Sequence, residues 1–367
     1  MKYLLYFSLL LLASCANKEN DFKNFHNTSA INIKYNKIKA EKVDLPILAN
    51  STLLLTEIGG ETIYFGDQQL REVFAYMPDR DSLRKVLGYG RGLREHNGAI
   101  DAIVYTDNEL FIVSDIVVSK YKMDSLGWFN RSSEFVAWLK KSDNKDIAER
   151  PEMYTKLYDK LRCRVYNDTI YLNVAGNHPM FNPYVPKYFN KTRMIKGIPL
   201  YKGGEEFIFG RFNPEIKKQK GRHCFFMLDF DIDNNGNICA MGELDSLIYK
   251  YDHTFNVIEC WGYAGKNMNF DEHKMFSMSM FRENYINERQ KSHYRKIKCV
   301  DNYVFRSYVK SLSAEYDGLQ IYEGTTLIAD VDVPKGFNVI GKIGDWYYSE
   351  IMGDERTMQL WLYRFKL

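Results

Sequence analysis

From about Val43 to the C-terminus, apolar residues come in short runs separated by Gly, Asn and Asp, a spacing that suits strands and tight turns. One set runs Leu53-Leu54-Leu55, Glu61 to Phe65, Val73 to Tyr76 and Ser82 to Leu87, and closes on Gly88-Tyr89-Gly90. A second runs Phe226 to Asp231, Asn237 to Ala240, Ser246 to Tyr251 and Val257 to Trp261, and closes on Gly262-Tyr263-Ala264-Gly265. A unit of about 40 residues and four short strands that recurs with the same ending predicts a propeller blade. Ile103 to Tyr105, Leu110 to Val113 and Val117 to Met123 fit a second blade. Cys163 to Tyr166, Ile170 to Val174 and Phe207 to Phe209 fit a third, Val300 to Phe305 opens a fifth, and Val339 to Leu367 forms the last. The pattern therefore predicts an all-β, six-bladed propeller whose ring closes where the strands near Val43 to Leu55 meet the last blade.

Helical spacing is confined to two stretches. Glu149 to Leu161 carries Pro151 near its start and Met153, Leu157 and Leu161 on one face; Phe270 to His293 places Asp271 at an N-cap and Met275, Met278 and Phe281 in a row. Both are expected as short helical insertions between blades, the methionines packing against a neighbouring sheet.

The N-terminus follows a different pattern. One charge, Lys2, precedes an apolar run from Tyr3 to Ala13. That run is too short for a bilayer span, which needs about 20 residues, and is read as a signal peptide. It ends in Leu12-Ala13-Ser14-Cys15, and on these residues the chain resembles a bacterial lipoprotein precursor. The resemblance implies cleavage before Cys15, lipidation of its sulfur, and anchoring in the outer membrane by acyl chains worth roughly 0.8 kcal/mol per buried methylene. The expected organisation is a signal peptide over residues 1–14, a lipidated N-terminus and polar, flexible tether over 15–42, and the propeller over 43–367. Lys18-Glu19-Asn20-Asp21 is similar to an interrupted form of the surface-export signal of Bacteroidetes lipoproteins, leaving the cell surface and the periplasmic face as alternatives.

Charge adds one exclusion. The formal net charge is +3, with 50 Lys and Arg against 47 Asp and Glu. Without Lys2 the body is nearly balanced, unlike a nucleic-acid binder with its concentrated basic face. The 27 Tyr and 23 Phe favour pleated, half-buried surface over helix.

Candidate chemistry is sparse. After Cys15 the cysteines are Cys163, Cys224, Cys239, Cys260 and Cys299, an odd number without Cys-x-x-Cys spacing, read as buried thiols within strands. If one disulfide forms, Cys239 with Cys260 is the expected pair. Asp231, Asp233, Asn235 and Gly236 imitate the first half of a calcium loop, but Gly242 stands where the bidentate Glu belongs, so a tight turn is expected. Gly88-Tyr89-Gly90-Arg91-Gly92 lacks the Lys-Ser/Thr of a phosphate-binding loop, and Gly-x-Ser-x-Gly and His-Glu-x-x-His are missing. No cofactor or metal site is read from the sequence. Arg91, Arg94, Glu95 and His96 concentrate charge after a strand end and are candidates for contacting an anionic or sugar ligand at the top of the ring. Met180 to Tyr184, with Tyr188-Phe189, offers a rival aromatic surface for a sugar or peptide.

Taken together, the lipobox, the repeat ending Gly88-Tyr89-Gly90-Arg91-Gly92, the segment Asp231 to Ile238 and the terminal strand Leu360 to Phe365 resemble the TolB-like, six-bladed β-propeller lipoproteins of Bacteroidetes. Where members often carry Pro-Gly-Glu after the first blade, this chain has Arg91 to Gly98. The resemblance implies fold and location. The expected function is an envelope-anchored binding or scaffold module for a protein, peptide or glycan. The alternative is a polymer-directed hydrolase or lyase acting at the mouth of the central channel.

Overall fold

The computed structural model describes residues 26–48, 54–114, 117–136, 143, 146–156, 161–185, 187–201, 204–276 and 278–367. Six sheets stand around a common axis. Blade I contains Leu54–Gly59, Thr62–Asp67, Glu72–Met77 and Ser82–Tyr89, and blade II Ala102–Thr106, Glu109–Ser114, Val117–Met123 and Phe129–Val136. Blade III contains Cys163–Tyr166, Thr169–Gly176, Ile195–Pro199 and Phe207–Phe209; blade IV contains Leu228–Ile232, Ile238–Gly242, Ile248–Tyr251 and Val257–Trp261. Blade V contains His293–Val300, Tyr303–Val309, Asp317–Glu323 and Thr326–Val333, and blade VI Val339–Ile343, Trp346–Ser349 and Gln359–Phe365. The first strand of each blade lies innermost. Successive inner strands touch in order, and Val339–Ile343 returns to Leu54–Gly59, so the ring is closed.

Closure uses the N-terminal chain. Glu41–Leu48 supplies the outer strand of blade VI, antiparallel to Gln359–Phe365 with Val43 opposite Leu362. Leu45, buried, joins Ile340, Tyr348 and Leu360 of blade VI and Ile63 and Phe65 of blade I. The expected junction near Val43 is thus the observed one.

Middle strands read as nearly continuous apolar runs because both faces of a blade are covered by neighbours. Period two then decides which neighbour each residue meets. Ile63 and Phe65 pack toward blade VI, whereas Tyr64, between them, packs with Leu110 and Ile112 of blade II. The repeat ending Gly262-Tyr263 also has a packing reason. Arg306 of blade V, 0% exposed, donates to the Tyr263 and Ser246 carbonyls at 2.7 Å and lies 4.1 Å over the Tyr294 ring. A β-carbon at Gly262, whose φ is +144°, would stand 2.1 Å from the Ser246 oxygen.

Residues 26–42 differ from the expected tether. His26–Asn27 runs parallel to the outer strand of blade IV, and Ala30–Tyr35 parallel to that of blade V, before Glu41–Leu48 reaches blade VI. The segment is a strap along three consecutive blade edges. An outer strand offers unpaired N–H and C=O groups, and pairing with them requires no apolar periodicity. Ile31 accordingly remains 58% exposed. Cys15 and the expected signal peptide lie outside the described residues.

The helical expectations need correction. Up to residue 156 the chain forms 3₁₀ turns at Ile147–Glu149 and Pro151–Met153, then the strand Tyr154–Lys156, which pairs with Val174 to Gly176; the expected Leu157 lies outside the described residues. Pro151 drives Arg150 out of the helical region, to φ −101° and ψ 111°, so the turns cannot merge. In the second stretch the α-helix is Phe281–Arg289 only; Asn269, not Asp271, caps the preceding 3₁₀ turn. Met275 is exposed rather than packed, while Phe281 packs against the core; the Met278 side chain lies outside the described residues.

Candidate functional site

The central channel is filled by charge. Arg162 and Arg164 from blade III, Asp229 and Asp231 from blade IV, and Lys296 and Lys298 from blade V project inward, with Glu57 from blade I and Glu350 from blade VI. Arg162 Nε lies 2.5 Å from Asp229, Arg164 pairs with Asp231, and Lys296 pairs with Glu350. Lys298 Nζ bridges Asp231 at 3.4 Å and Glu57 at 3.7 Å. Backbone donors complete the set: Ile297 N–H donates to Asp229 at 2.6 Å and Cys299 N–H to Asp231 at 2.8 Å, while Asn338 donates to Glu350 at 2.7 Å. Four cations thus meet four carboxylates from five blades, and the network is neutral.

Its electrostatics follow from burial and pairing together. Burial pushes the Glu350 carboxyl up, but the Lys296 and Arg162 charges and two hydrogen bonds more than offset it and hold the pKa at about 2. Asp231 is likewise lowered, burial being outweighed by Arg164 and Lys298. Burial opposes the charge on Arg164, and Asp231 with Glu57 reverses that, raising its pKa. Lys296 runs the other way: burial, with the Arg162 and Arg164 charges, outweighs Glu350 and lowers the lysine's pKa.

A recess lies above this plug, on the face where the inner strands begin, here the upper face. Its volume is about 530 Å³, and Thr155, Lys156, Asn177, His178, Asn182, Tyr184 and Phe226 line it. Lys156, with a side chain 4% exposed, is paired with Asp101 at the start of the blade II inner strand. The opposite wall belongs to the excursion after Thr169–Gly176. Phe181, Tyr188 and Phe189 are buried there, and the Gly176 N–H donates to the Tyr188 hydroxyl at 3.1 Å. Asn182 turns the chain, its Nδ2 donating to the His178 carbonyl at 2.9 Å and its Oδ1 accepting from Tyr184 N–H at 3.0 Å. Tyr184 stacks on His223 with centroids 5.6 Å apart, and burial raises its hydroxyl pKa. The rival aromatic surface thus divides: Phe181, Tyr188 and Phe189 are scaffold, while Tyr184, Asn182 and His178 face the recess. Amides, a ring face and a cation–carboxylate pair in one concavity can orient a polar chain by hydrogen bonds and stacking.

The four residues singled out in the sequence are not brought together at the top of the ring. Arg91 is exposed. Arg94 reaches the outer perimeter of blade II, 2.8 Å from Asp124 and over the Trp128 ring at 5.3 Å. Glu95 accepts from Gly92 N–H at 2.7 Å, and a β-carbon at Gly90 would stand 2.1 Å from its carboxylate, so Glu95 shapes the loop. His96 is 1% exposed, with Nδ1 2.8 Å from the Tyr121 hydroxyl and Nε2 2.7 Å from Ser114 Oγ. Burial lowers its pKa. Arg94, Glu95 and Tyr89 border a groove of about 600 Å³ on the rim between blades I and II.

The Asp-rich segment separates its carboxylates. Asp231 points into the channel, whereas Asp233 accepts from the Asn235 and Asn237 N–H groups at 2.9 Å and pairs with Lys250, forming the expected turn. Among the described residues no group of three His, Cys, Asp or Glu side chains is placed to hold a metal ion. The Cys239–Cys260 pairing fails on topology. Ile248–Tyr251 lies between their strands, and Cys260 packs with the blade III side while Cys239 faces blade V.

Sequence reasoning missed the channel charges, although a signal existed. Arg162-Cys163-Arg164, at the start of an inner strand, and Asp229-Phe230-Asp231 and Lys296-Ile297-Lys298, within inner strands, each repeat one charge at i and i+2, the strand period. Glu350 and Lys156 carry no such mark.

No protein-family model matches the chain, and no curated protein matches it. Among solved structures it is similar to a putative exported protein from Bacteroides fragilis, at 11% identity and TM-score 0.46, over 92% of this chain and 99% of that one. It is also similar to a luciferin-regenerating enzyme, at 10% identity and TM-score 0.49, over 90% and 96%. A third is the PQQ-bound aldose sugar dehydrogenase from Streptomyces coelicolor, at 9% identity and TM-score 0.47, over 90% and 99%. At these identities the activities in those names stay with those proteins. Among the described residues no helix is long and apolar enough to cross a membrane.

Proposed function

We propose that this chain is a lipoprotein, anchored in the outer membrane through Cys15, whose propeller binds a peptide or glycan segment in the upper-face recess. The observation that carries this reading is a division of labour. The charged groups of the channel are consumed by one another, whereas the recess above them presents Asn177, His178 and Tyr184 on a wall held by buried aromatics and by the Asn182 turn. Open concavity with amides and a ring face suits recognition of a polymer segment. A hydrolase or lyase at the channel mouth needs an acid or base free to engage substrate, and Glu57, Asp229, Asp231 and Glu350 are each engaged by cations or amides.

The test is a panel of immobilised oligosaccharides and peptides probed with the full-length protein and with Tyr184→Ala and Asn177→Ala. One ligand class is expected to bind the wild type, with affinity falling roughly ten-fold in each variant, about the worth of one stacked ring or hydrogen-bonded amide. Binding that both variants retain in full would overturn the assignment of the recess. Hydrolysis or elimination of a panel member would favour the enzymatic alternative.

A further inference from the structure

Cys239 and Cys299 belong to different blades, and the strand register brings them to one place. Cys239 is the cross-strand partner of Asp231 within blade IV. The Asp231 carboxylate accepts the Cys299 N–H of blade V at 2.8 Å, so the two cysteines flank the same carboxylate. Both side chains pack into the apolar interface of blades IV and V, with Met241, Trp261 and Ile297. Cys239 is buried and Cys299 partly exposed, and both line a cavity of about 430 Å³ shared with Asp233, Lys250 and Asp301.

We propose that Cys239 and Cys299 are a dithiol that closes to a disulfide linking blades IV and V when it meets a disulfide oxidant. Cys299, the accessible partner, gives up its proton and attacks one sulfur of the oxidant, forming a mixed disulfide and releasing one thiol. Cys239 then gives up its proton and attacks the Cys299 sulfur, closing the protein disulfide and releasing the second thiol. Two protein thiols are oxidised, one oxidant disulfide is reduced, and the two protons leave on the released thiols. A hydrogen bond with Cys239, together with burial, holds the Cys299 thiol well above its ordinary pKa. Closure is therefore slow at neutral pH and faster in alkali, the behaviour of a structural clamp and not of a catalytic exchange centre. The other buried thiols, Cys163, Cys224 and Cys260, lie apart from this pair.

The test is incubation of the purified full-length protein with oxidised glutathione at pH 8.5, followed by alkylation and peptide mapping without reductant. The expected product joins the Cys239 and Cys299 peptides with loss of two hydrogens, and the thermal midpoint rises by roughly 5 °C, because the bond closes a long loop in the unfolded chain. Cys239→Ser is expected to stop at a glutathione adduct on Cys299, and Cys299→Ser to give neither product. Full alkylation of both thiols in the treated wild type, a stable glutathione adduct on wild-type Cys299, or a Cys239–Cys260 cross-link would each overturn the proposal.

Discussion

Replacing Lys296 with Met tests whether the channel charges hold the ring together. Lys296 is 7% exposed at the side chain and paired with Glu350, and removing it leaves that carboxylate, 27% exposed at the side chain, with Arg162 and Asn338 to compensate. A carboxyl held at about 2, against its ordinary 4.5, is worth about 3 kcal/mol to the folded state. The sign follows from the depressed folded-state pKa. That stability is fully present above pH 5 and is lost as pH falls through the window from 4.5 to about 2. Lys296→Met should cost about 2–3 kcal/mol at pH 7, less than for a fully buried pair, because Glu350 keeps partial solvent contact and burial already opposes the Lys296 charge. It should also flatten the acid dependence, because Glu350 then ionises nearer its unfolded value. Urea unfolding at pH 7 and pH 3, with an unchanged m-value, measures both effects. Glu350→Gln in the Lys296→Met background should recover part of the loss, giving a coupling of about 2 kcal/mol. A cost under about 1 kcal/mol, or strictly additive single variants, would refute the reasoning.

Three further outcomes are expected. Arg94→Ala should cost no more than about 1 kcal/mol, its ion pair being on the rim, whereas His96→Ala should cost about 2–4 kcal/mol by leaving a cavity and removing the imidazole's hydrogen bonds with Tyr121 and Ser114 in the core; urea titration of both variants separates them. Leu45→Ala, at the seam between the strap and blades VI and I, should cost about 2–4 kcal/mol, and the loss should appear as faster proteolysis near the ring closure. Cys15→Ser should move the protein from the membrane to the soluble fraction, and metabolic labelling with an alkynyl fatty acid should mark the wild type alone.

The repeat made the architecture legible. Strand runs ending in Gly88-Tyr89-Gly90 and Gly262-Tyr263-Ala264-Gly265 correspond to blades I and IV, and the second has a packing cause in Arg306. Where apolar periodicity stops, the sequence carries no mark of the strands. The strap over residues 26–42 joins blade edges through its backbone and leaves Ile31 in solvent, so its composition resembles that of a tether. Arg91, Arg94, Glu95 and His96 are consecutive in charge but not in space, because the chain passes from rim to interior within the loop. Local charge density cannot report that turn. The recess was half legible: the aromatic run from Met180 marked the excursion, but Lys156 and Asp101, far apart in sequence, meet only through the ring.

The most direct test of the central claim is site-specific photo-crosslinking in living cells, with p-benzoylphenylalanine at position 184 and, as control, at Asp345, an 83% exposed side chain in the turn of blade VI on the opposite face. Binding through the upper recess predicts a discrete covalent adduct from position 184, diminished by Asn177→Ala, and none from position 345. Equal labelling at the two positions, or none at position 184, would contradict it.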